Sequence, residues 1–283
     1  MKFYKYHALG NDYIVMDPAD IGDEPTSAQV QLICHRHFGV GSDGILLGPL
    51  KNAGGDFGLR IFNPDGSEAE KSGNGLRIFS RFLWERGLVC GEPFTIMTPG
   101  GRVQSSVHGS GRSVTVEMGQ VSFRSNEIPV LGPPREVLNE RLVVRGKELL
   151  YCAATIGNPH CVIIREQISE EETRQLGPDI ERLPRFPNRT NVQFVKVLDR
   201  ANIRLEIWER GAGYTLASGS SASAAAAVAK RLGLCDSGVS VRMPGGILSI
   251  AVSDDFSVQM TGPVTKVAEG ILSQEIFDKP SLW

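Results

Sequence analysis

Long apolar runs are missing from this 283-residue chain: no segment holds the ~18 apolar residues of a membrane span, so no membrane partner is expected. The N-terminal stretch MKFYKYHALGNDYIV carries charges and a histidine where a secretory signal needs an unbroken apolar core, and a cytoplasmic location is the expectation. An excess of one charge is also missing. The 30 Lys and Arg nearly balance the 32 Asp and Glu, for a formal net charge of −2. Such a balance supplies no bulk attraction for nucleic acid or an anionic membrane. Cysteine is sparse and unpatterned: Cys34, Cys90, Cys152, Cys161 and Cys235 are odd in number and show no CxxC spacing. Neither a disulfide framework nor a zinc site follows, and no metal is expected. The thiols read as reduced structural side chains.

What is present is a soluble globular composition, with 41% hydrophobic and 22% charged residues. The length suits two ordinary domains or one large one. Internal repeats decide between them. Gly10-Asn11 recurs as Gly157-Asn158, 147 residues later, each pair followed by a strand-like run, Tyr13 to Met16 and Cys161 to Ile164. Ile61-Phe62-Asn63 recurs as Ile207-Trp208-Glu209, and Ser72-Gly73-Asn74-Gly75 as Ser218-Gly219-Ser220-Ser221, both at 146. Gly87-Leu88 answers Gly233-Leu234, also at 146, and Pro99-Gly100-Gly101 answers Pro244-Gly245-Gly246 at 145. One Gly-Asn pair would mean little, but a nearly constant offset over successive landmarks points to duplication.

Each half reads as short β-branched strands, a polar glycine-rich loop, one helix of about fifteen residues, a strand and a Pro-Gly-Gly hairpin. Leu76 to Trp84 is apolar around most of its circumference, and Ala222 to Leu232 is rich in alanine with Lys230 and Arg231 in its last turn. Both predict buried central helices. The expected fold is therefore α+β: two pseudo-symmetric domains, each an antiparallel sheet wrapped around a central helix. The halves are expected at residues 1–125 and 126–265, with a tail, 266–283, returning to the N-terminal half. The boundary is expected near Gly119 to Pro134, where Pro129, Gly132, Pro133 and Pro134 cluster.

In each half a serine and small residues lead into a helix, which sets unpaired backbone N–H groups and the positive end of a helix dipole at that point. Two such ends would face one cleft if the halves are related by a pseudo-twofold axis, and their amides would suit a carboxylate or phosphate. Ordinary capping by Ser72 and Ser218 is the alternative for either loop alone. Asn11, Asn63, Asn158, His160, Asn191, Glu209 and Arg210 cluster in sequence around these loops. Alone, His160 reads as a satisfied partly buried histidine, and Glu209-Arg210 as a surface pair. Beside duplicated helix starts, asparagine amides could fix a polar ligand by its amino and carboxylate groups.

The segments His7 to Tyr13, Asn63 to Glu68, Ser72 to Arg77, Gly157 to Cys161 and Glu209 to Gly213 together resemble the signature stretches of the diaminopimelate epimerase family, over almost the whole chain. The resemblance implies two α/β halves facing a cleft. It implies an isomerase of lysine biosynthesis working without pyridoxal phosphate or any other cofactor, in which one group removes the α-proton and another reprotonates the opposite face. The family's two groups are cysteines, in patterns reading CGNGxR and ACGTGA. Ser72 and Ser218 stand at those positions here, Tyr214 stands where glutamate is usual, and Ser221 and Ser223 replace glycine and cysteine. The resemblance further implies that backbone amides at Gly73, Asn74, Gly219 and Ser220 hold the reacting carboxylate. Asn11, Asn158, His160 and Glu209 would surround the reacting centre, and Asn63, Asn191 and Arg210 would hold a distal carboxylate.

A thiolate forms readily at a helix N-terminus, whereas a serine hydroxyl is a far weaker acid and needs a neighbouring base. Lys71, Tyr214, Glu209 and His160 are the candidates, Lys71 reading equally as an exposed charge. Three functions stay open at this point. The first is an amino-acid epimerase or racemase with Ser72, Ser218, Glu209 and His160 as catalytic residues, acting on LL-diaminopimelate or a related amino acid. The second is a related proton-shift isomerase, on fold-level analogy. The third is a carboxylate-binding protein that has lost catalysis. The expected partner is a small amino-acid substrate with one or two carboxylates, with a homodimer as a possible assembly.

Overall fold

Alternation between buried and solvent-facing side chains begins at once: in β1 (Lys2–Ala8), Tyr4, Tyr6 and Ala8 turn inward while the residues between them stay partly exposed. The structure, a computed structural model, describes residues 1–51 and 54–278. It divides into two units, one of Met1–Val116 with the described chain from Gly262 onward, the other of Glu117–Thr261.

In the first unit, β1 folds back on β2 (Asn11–Met16) through Leu9 and Gly10, both at positive φ, as a two-residue hairpin turn of this hand demands. There follow α1 (Pro18–Ile21), α2 (Ser27–Cys34), β3 (Ile45–Leu50), β4 (Phe57–Phe62), β5 (Glu68–Ala69), α3 (Gly73–Glu85), β6 (Phe94–Thr98), β7 (Gly101–His108) and β8 (Ser113–Gln120). Helix α3 packs against β1, β2, β3 and β7. Its Leu76, Ile78, Phe79, Phe82 and Leu83 are fully buried, each contributing about 1.5–3 kcal/mol.

The second unit repeats this plan with β9 (Glu140–Val144), β10 (Lys147–Thr155), β11 (Pro159–Ile164), α4 (Glu170–Glu181), β12 (Asn191–Asp199), β13 (Asn202–Glu209), β14 (Gly213–Thr215), α5 (Gly219–Arg231), β15 (Gly238–Met243), β16 (Gly246–Val252) and β17 (Ser257–Pro263). Helix α5 lies against β10, β11, β12, β13, β15 and β16. Its buried run from Ala222 to Ala229 presents almost only methyl groups and hydroxyls, so the strands can close tightly around the backbone. After this unit the chain returns to the first, where β18 (Thr265–Ile271) pairs antiparallel with β1.

The duplication reaches the helix ends. Both α3 and α5 are 13 residues long. Both start from a serine in extended conformation, with Ser72 at φ −139° and Ser218 at φ −144°. Both end on a glycine at positive φ, Gly87 and Gly233, with Leu88 N–H donating to Leu83 O and Leu234 N–H to Ala229 O. That is the bond pattern of a glycine-terminated helix.

The sheets are mixed rather than antiparallel throughout. β2 runs parallel to β3 and β4 to β6, and likewise β11 to β12 and β13 to β15. In every case a helix lies between the two strands in sequence, which is the connection a parallel pair requires. The proline-rich stretch where a boundary was expected lies inside the second unit, where Ile128, Val130 and Val137 are part of the core. Among the described residues, no helix is long and apolar enough to cross a membrane.

Candidate active site

In the first unit Ser72 caps α3: its Oγ accepts from the Gly75 N–H at 3.0 Å. The cap leaves the N–H groups of Gly73 and Asn74 at the helix start, where the dipole favours an anion. Space at 75 is tight: a Cβ there would stand 3.0 Å from Leu46 Cδ2 and 3.2 Å from Ser72 Oγ, so those side chains would have to give by a few tenths of an ångström. The phenolic oxygen of Tyr13, from β2, lies 3.2 Å from Ser72 Oγ. Sequence reading did not single out Tyr13, because in an apolar strand it counts as core. Its place directly after Gly10-Asn11-Asp12 was the available signal.

Asn74 joins the cap to a chain of fixed amides. Its Nδ2 donates to Asn11 Oδ1 at 2.9 Å, and Asn11 Nδ2 donates to Asp43 at 2.8 Å. Asn74 Oδ1 accepts from Arg77 Nη2 at 2.5 Å. Arg77 is fully buried, its Nη1 donates to Pro263 O at 3.2 Å, and its Nε has no hydrogen-bond partner among the described residues. Burial pulls this guanidinium down to about 10. At the far end Asp43 and Asp12 share Arg36, and Lys5 lies 3.0 Å from Asp12. Burial opposes the Asp12 charge, but hydrogen bonds from Arg36 and Lys5 outweigh it and hold the carboxyl below its ordinary value. Asn63 stands in the β4–β5 turn instead, donating to Ser67 Oγ at 3.0 Å. Lys71 is half-buried, and burial lowers its ammonium pKa.

In the second unit Ser218 caps α5, accepting from the Ser221 N–H at 3.4 Å, with Ser220 Oγ 3.5 Å away. The first two amides of the helix are those of Gly219 and Ser220. Asn158 Nδ2 donates to Ser220 Oγ at 3.4 Å, and Asn158 Oδ1 meets His160 Nε2 at 2.9 Å. The other ring nitrogen, Nδ1, accepts from Gln193 Nε2 at 3.1 Å, and the same Gln193 nitrogen reaches Ser221 Oγ at 3.0 Å. His160 is wholly buried, and that burial presses its pKa down to about 3. The ring is neutral, with its one proton on Nε2 directed at Asn158. Gln193 went unnoticed in the sequence because it sits inside a run of strand residues.

Asn191 is buried and spent on backbone: Nδ2 donates to Pro159 O at 3.0 Å, and Oδ1 accepts from Arg210 N–H at 2.9 Å. Arg210 Nη1 donates to Asn188 O at 2.8 Å. Glu209, half-buried at the end of β13, accepts from Thr215 Oγ1 at 3.2 Å. Tyr214 does not fit the role of assisting base. Its hydroxyl donates to Glu206 at 2.6 Å, and burial together with that carboxylate pushes its pKa far up, so the phenol keeps its proton.

Strand registers fix the equivalences between the half-sites. Val15 pairs with Leu46 as Val162 pairs with Gln193. Leu46 beside Gly75 in the first unit thus becomes Gln193 beside Ser221 in the second, and Tyr13 becomes His160. The frame is duplicated, while the side chains around the serines differ.

The diaminopimelate epimerase model matches residues 3–124 and 152–267. Diaminopimelate epimerase 2 of Nostoc sp. is 62% identical over 277 residues, covering 98% of this chain and 97% of that protein. The diaminopimelate epimerase of Desulfitobacterium hafniense is 38% identical over 283 residues, covering 97% and 99%. Among solved structures, a hydroxyproline epimerase from Agrobacterium vitis with bound trans-4-hydroxy-L-proline has a TM-score of 0.67 at 17% identity, covering 95% of this chain and 91% of its own. A Bacillus anthracis phenazine biosynthesis protein of the PhzF family has a TM-score of 0.65 at 16% identity, covering 96% and 99%. These last two likenesses concern the fold.

Proposed function

The chain belongs to the diaminopimelate epimerase family, and on that premise we propose that it is a cofactor-independent amino-acid epimerase that inverts the α-carbon of diaminopimelate or a closely related amino acid. Ser72 and Ser218 take the two acid/base positions. The observation that carries this reading is the pair of serine-capped helix starts with matching backbone conformation, each beside an oriented asparagine.

Inversion needs one group to remove the α-proton and a second to return a proton to the other face. Removal leaves charge that spreads into the carboxylate, and preorganised donors stabilise such charge most where water is excluded. The amides of Gly73, Asn74, Gly219 and Ser220 are assigned to that carboxylate. Asn11 and Asn158 are assigned to orient the reacting centre, with Asn158 held by His160, and Glu209 is assigned to the same centre. Asn63 and Arg210 are assigned to a distal carboxylate, with Asn191 holding the Arg210 backbone.

In deuterium oxide, Ser218→Ala is expected to abolish α-hydrogen exchange from one epimer and leave exchange from the other. Equal loss from both epimers in a folded variant would count against the assignment. A second reading, a carboxylate-binding protein without turnover, draws on the weak acidity of serine relative to a thiol. Tight ligand binding without exchange, with exchange restored by Ser72→Cys and Ser218→Cys together, would favour it.

A further inference from the structure

We propose that Tyr13 exchanges a proton with Ser72, so that the first unit's hydroxyl works as one half of a phenol–serine pair and the two acid/base positions are chemically unequal. This rests on the epimerase reading and deepens it.

The geometry is specific. Ser72 Oγ receives the Gly75 N–H at 3.0 Å and stands 3.2 Å from the Tyr13 hydroxyl. The ring is held in place by a missing side chain: a Cβ on Gly44 would sit 2.7 Å from Tyr13 Cε1 and 2.5 Å from Phe62 O. Tyr13 is buried, which limits competition from water for this bond. A phenol is much more acidic than an aliphatic alcohol, and an alcohol becomes an effective proton carrier when a partner of this kind shares its proton. At the equivalent strand position of the second unit stands His160, which faces Asn158, and Ser218 meets the aliphatic hydroxyl of Ser220.

When the epimer facing Ser72 is deprotonated, the α C–H bond breaks and its proton passes to Ser72 Oγ. The Ser72 proton passes to Tyr13 in the alkaline form of the pair, whose phenol has already given its proton to solvent base, and the electron pair stays on the α-carbon and its carboxylate. In return, Ser72 gives its proton to the α-carbon and takes the Tyr13 proton, leaving the phenolate. Solvent resets the pair between turnovers.

Tyr13→Phe keeps the ring and removes only the oxygen. In deuterium oxide the variant is expected to lose tenfold or more of the α-hydrogen exchange from the epimer facing Ser72, and of inversion in both directions. Exchange without inversion from the other epimer should stay within about threefold of the parent. The parent should show an alkaline limb in the pH dependence of the affected exchange, and the variant should lack it. Equal loss from both epimers, or an unchanged pH profile, would overturn the pair. A second measurement needs no turnover: the Tyr13 signal in protein with carbon-13-labelled tyrosine, assigned by its loss in Tyr13→Phe, is titrated with and without Ser72→Ala. A moved titration supports the shared proton. An unmoved one overturns it, even if the parent exchanges no amino acid and the epimerase reading itself fails.

Discussion

The Nε2–H of His160 points at Asn158 Oδ1 across 2.9 Å, because Gln193 donates to the other ring nitrogen at 3.1 Å. A histidine so placed is a fixed neutral donor. Its hydrogen bonds go to the two side-chain amides of Asn158 and Gln193.

The buried neutral ring makes stability depend on pH. Its folded pKa, about 3, lies below the ordinary value of 6.5, so between these limits the unfolded chain binds a proton that the folded chain refuses. This contribution is complete above the unfolded pKa and is lost as pH falls, by up to about 1.4 kcal/mol per pH unit. Urea unfolding at pH 7 and pH 5 should show a shallower fall for His160→Gln than for the parent. Identical slopes would mean that the ring takes up a proton in the folded state.

Gln193 is fully buried, and its Oε1 has no hydrogen-bond partner among the described residues. Gln193→Leu alone strands Ser221 Oγ and His160 Nδ1, at about 1–3 kcal/mol for each unsatisfied group. Adding Ser221→Gly recreates the Leu46–Gly75 pair of the first unit and removes one stranded group. The double variant should therefore be about 1 kcal/mol more stable than Gln193→Leu, read from denaturation midpoints. Strict additivity would show that the two positions do not share the bond described.

Capping and chemistry separate at Ser218. An alanine there should lower stability by about 0.5–2 kcal/mol, and a glycine by only a few tenths. Both should remove exchange from the same epimer. If the glycine variant keeps full exchange, Ser218 is a cap and nothing more.

Gly44→Ala forces a methyl group to 2.7 Å from the Tyr13 ring and 2.5 Å from a backbone oxygen. Overpacking of this kind costs about 1–3 kcal/mol. Its exchange defect should copy that of Tyr13→Phe, falling on one epimer, with thermal melting checking the stability loss. A defect shared by both epimers would show that Gly44 serves the unit as a whole.

Much of this was legible in the chain because duplication writes it twice. The offsets linking Ser72 with Ser218 and Gly87 with Gly233 mark both central helices and both serine caps in the sequence itself. The parallel strand pairs were not legible, since apolar runs in parallel and antiparallel strands look alike. Tyr13 and Gln193 were hidden for a related reason. Each sits in a strand that reads as core, and only the register brings its polar atom to a helix start. Tyr214 misled in the opposite way: its position near Ser218 in sequence suggested chemistry, while its hydroxyl is bound to Glu206.

Proton NMR in deuterium oxide reads the α-carbon of the substrate directly. LL-diaminopimelate incubated with the folded protein should lose its α-proton signal and accumulate the meso form, with meso-diaminopimelate giving the reverse. Unchanged α-protons and unchanged configuration, in these and across a panel of dicarboxylic and basic amino acids, would contradict the account.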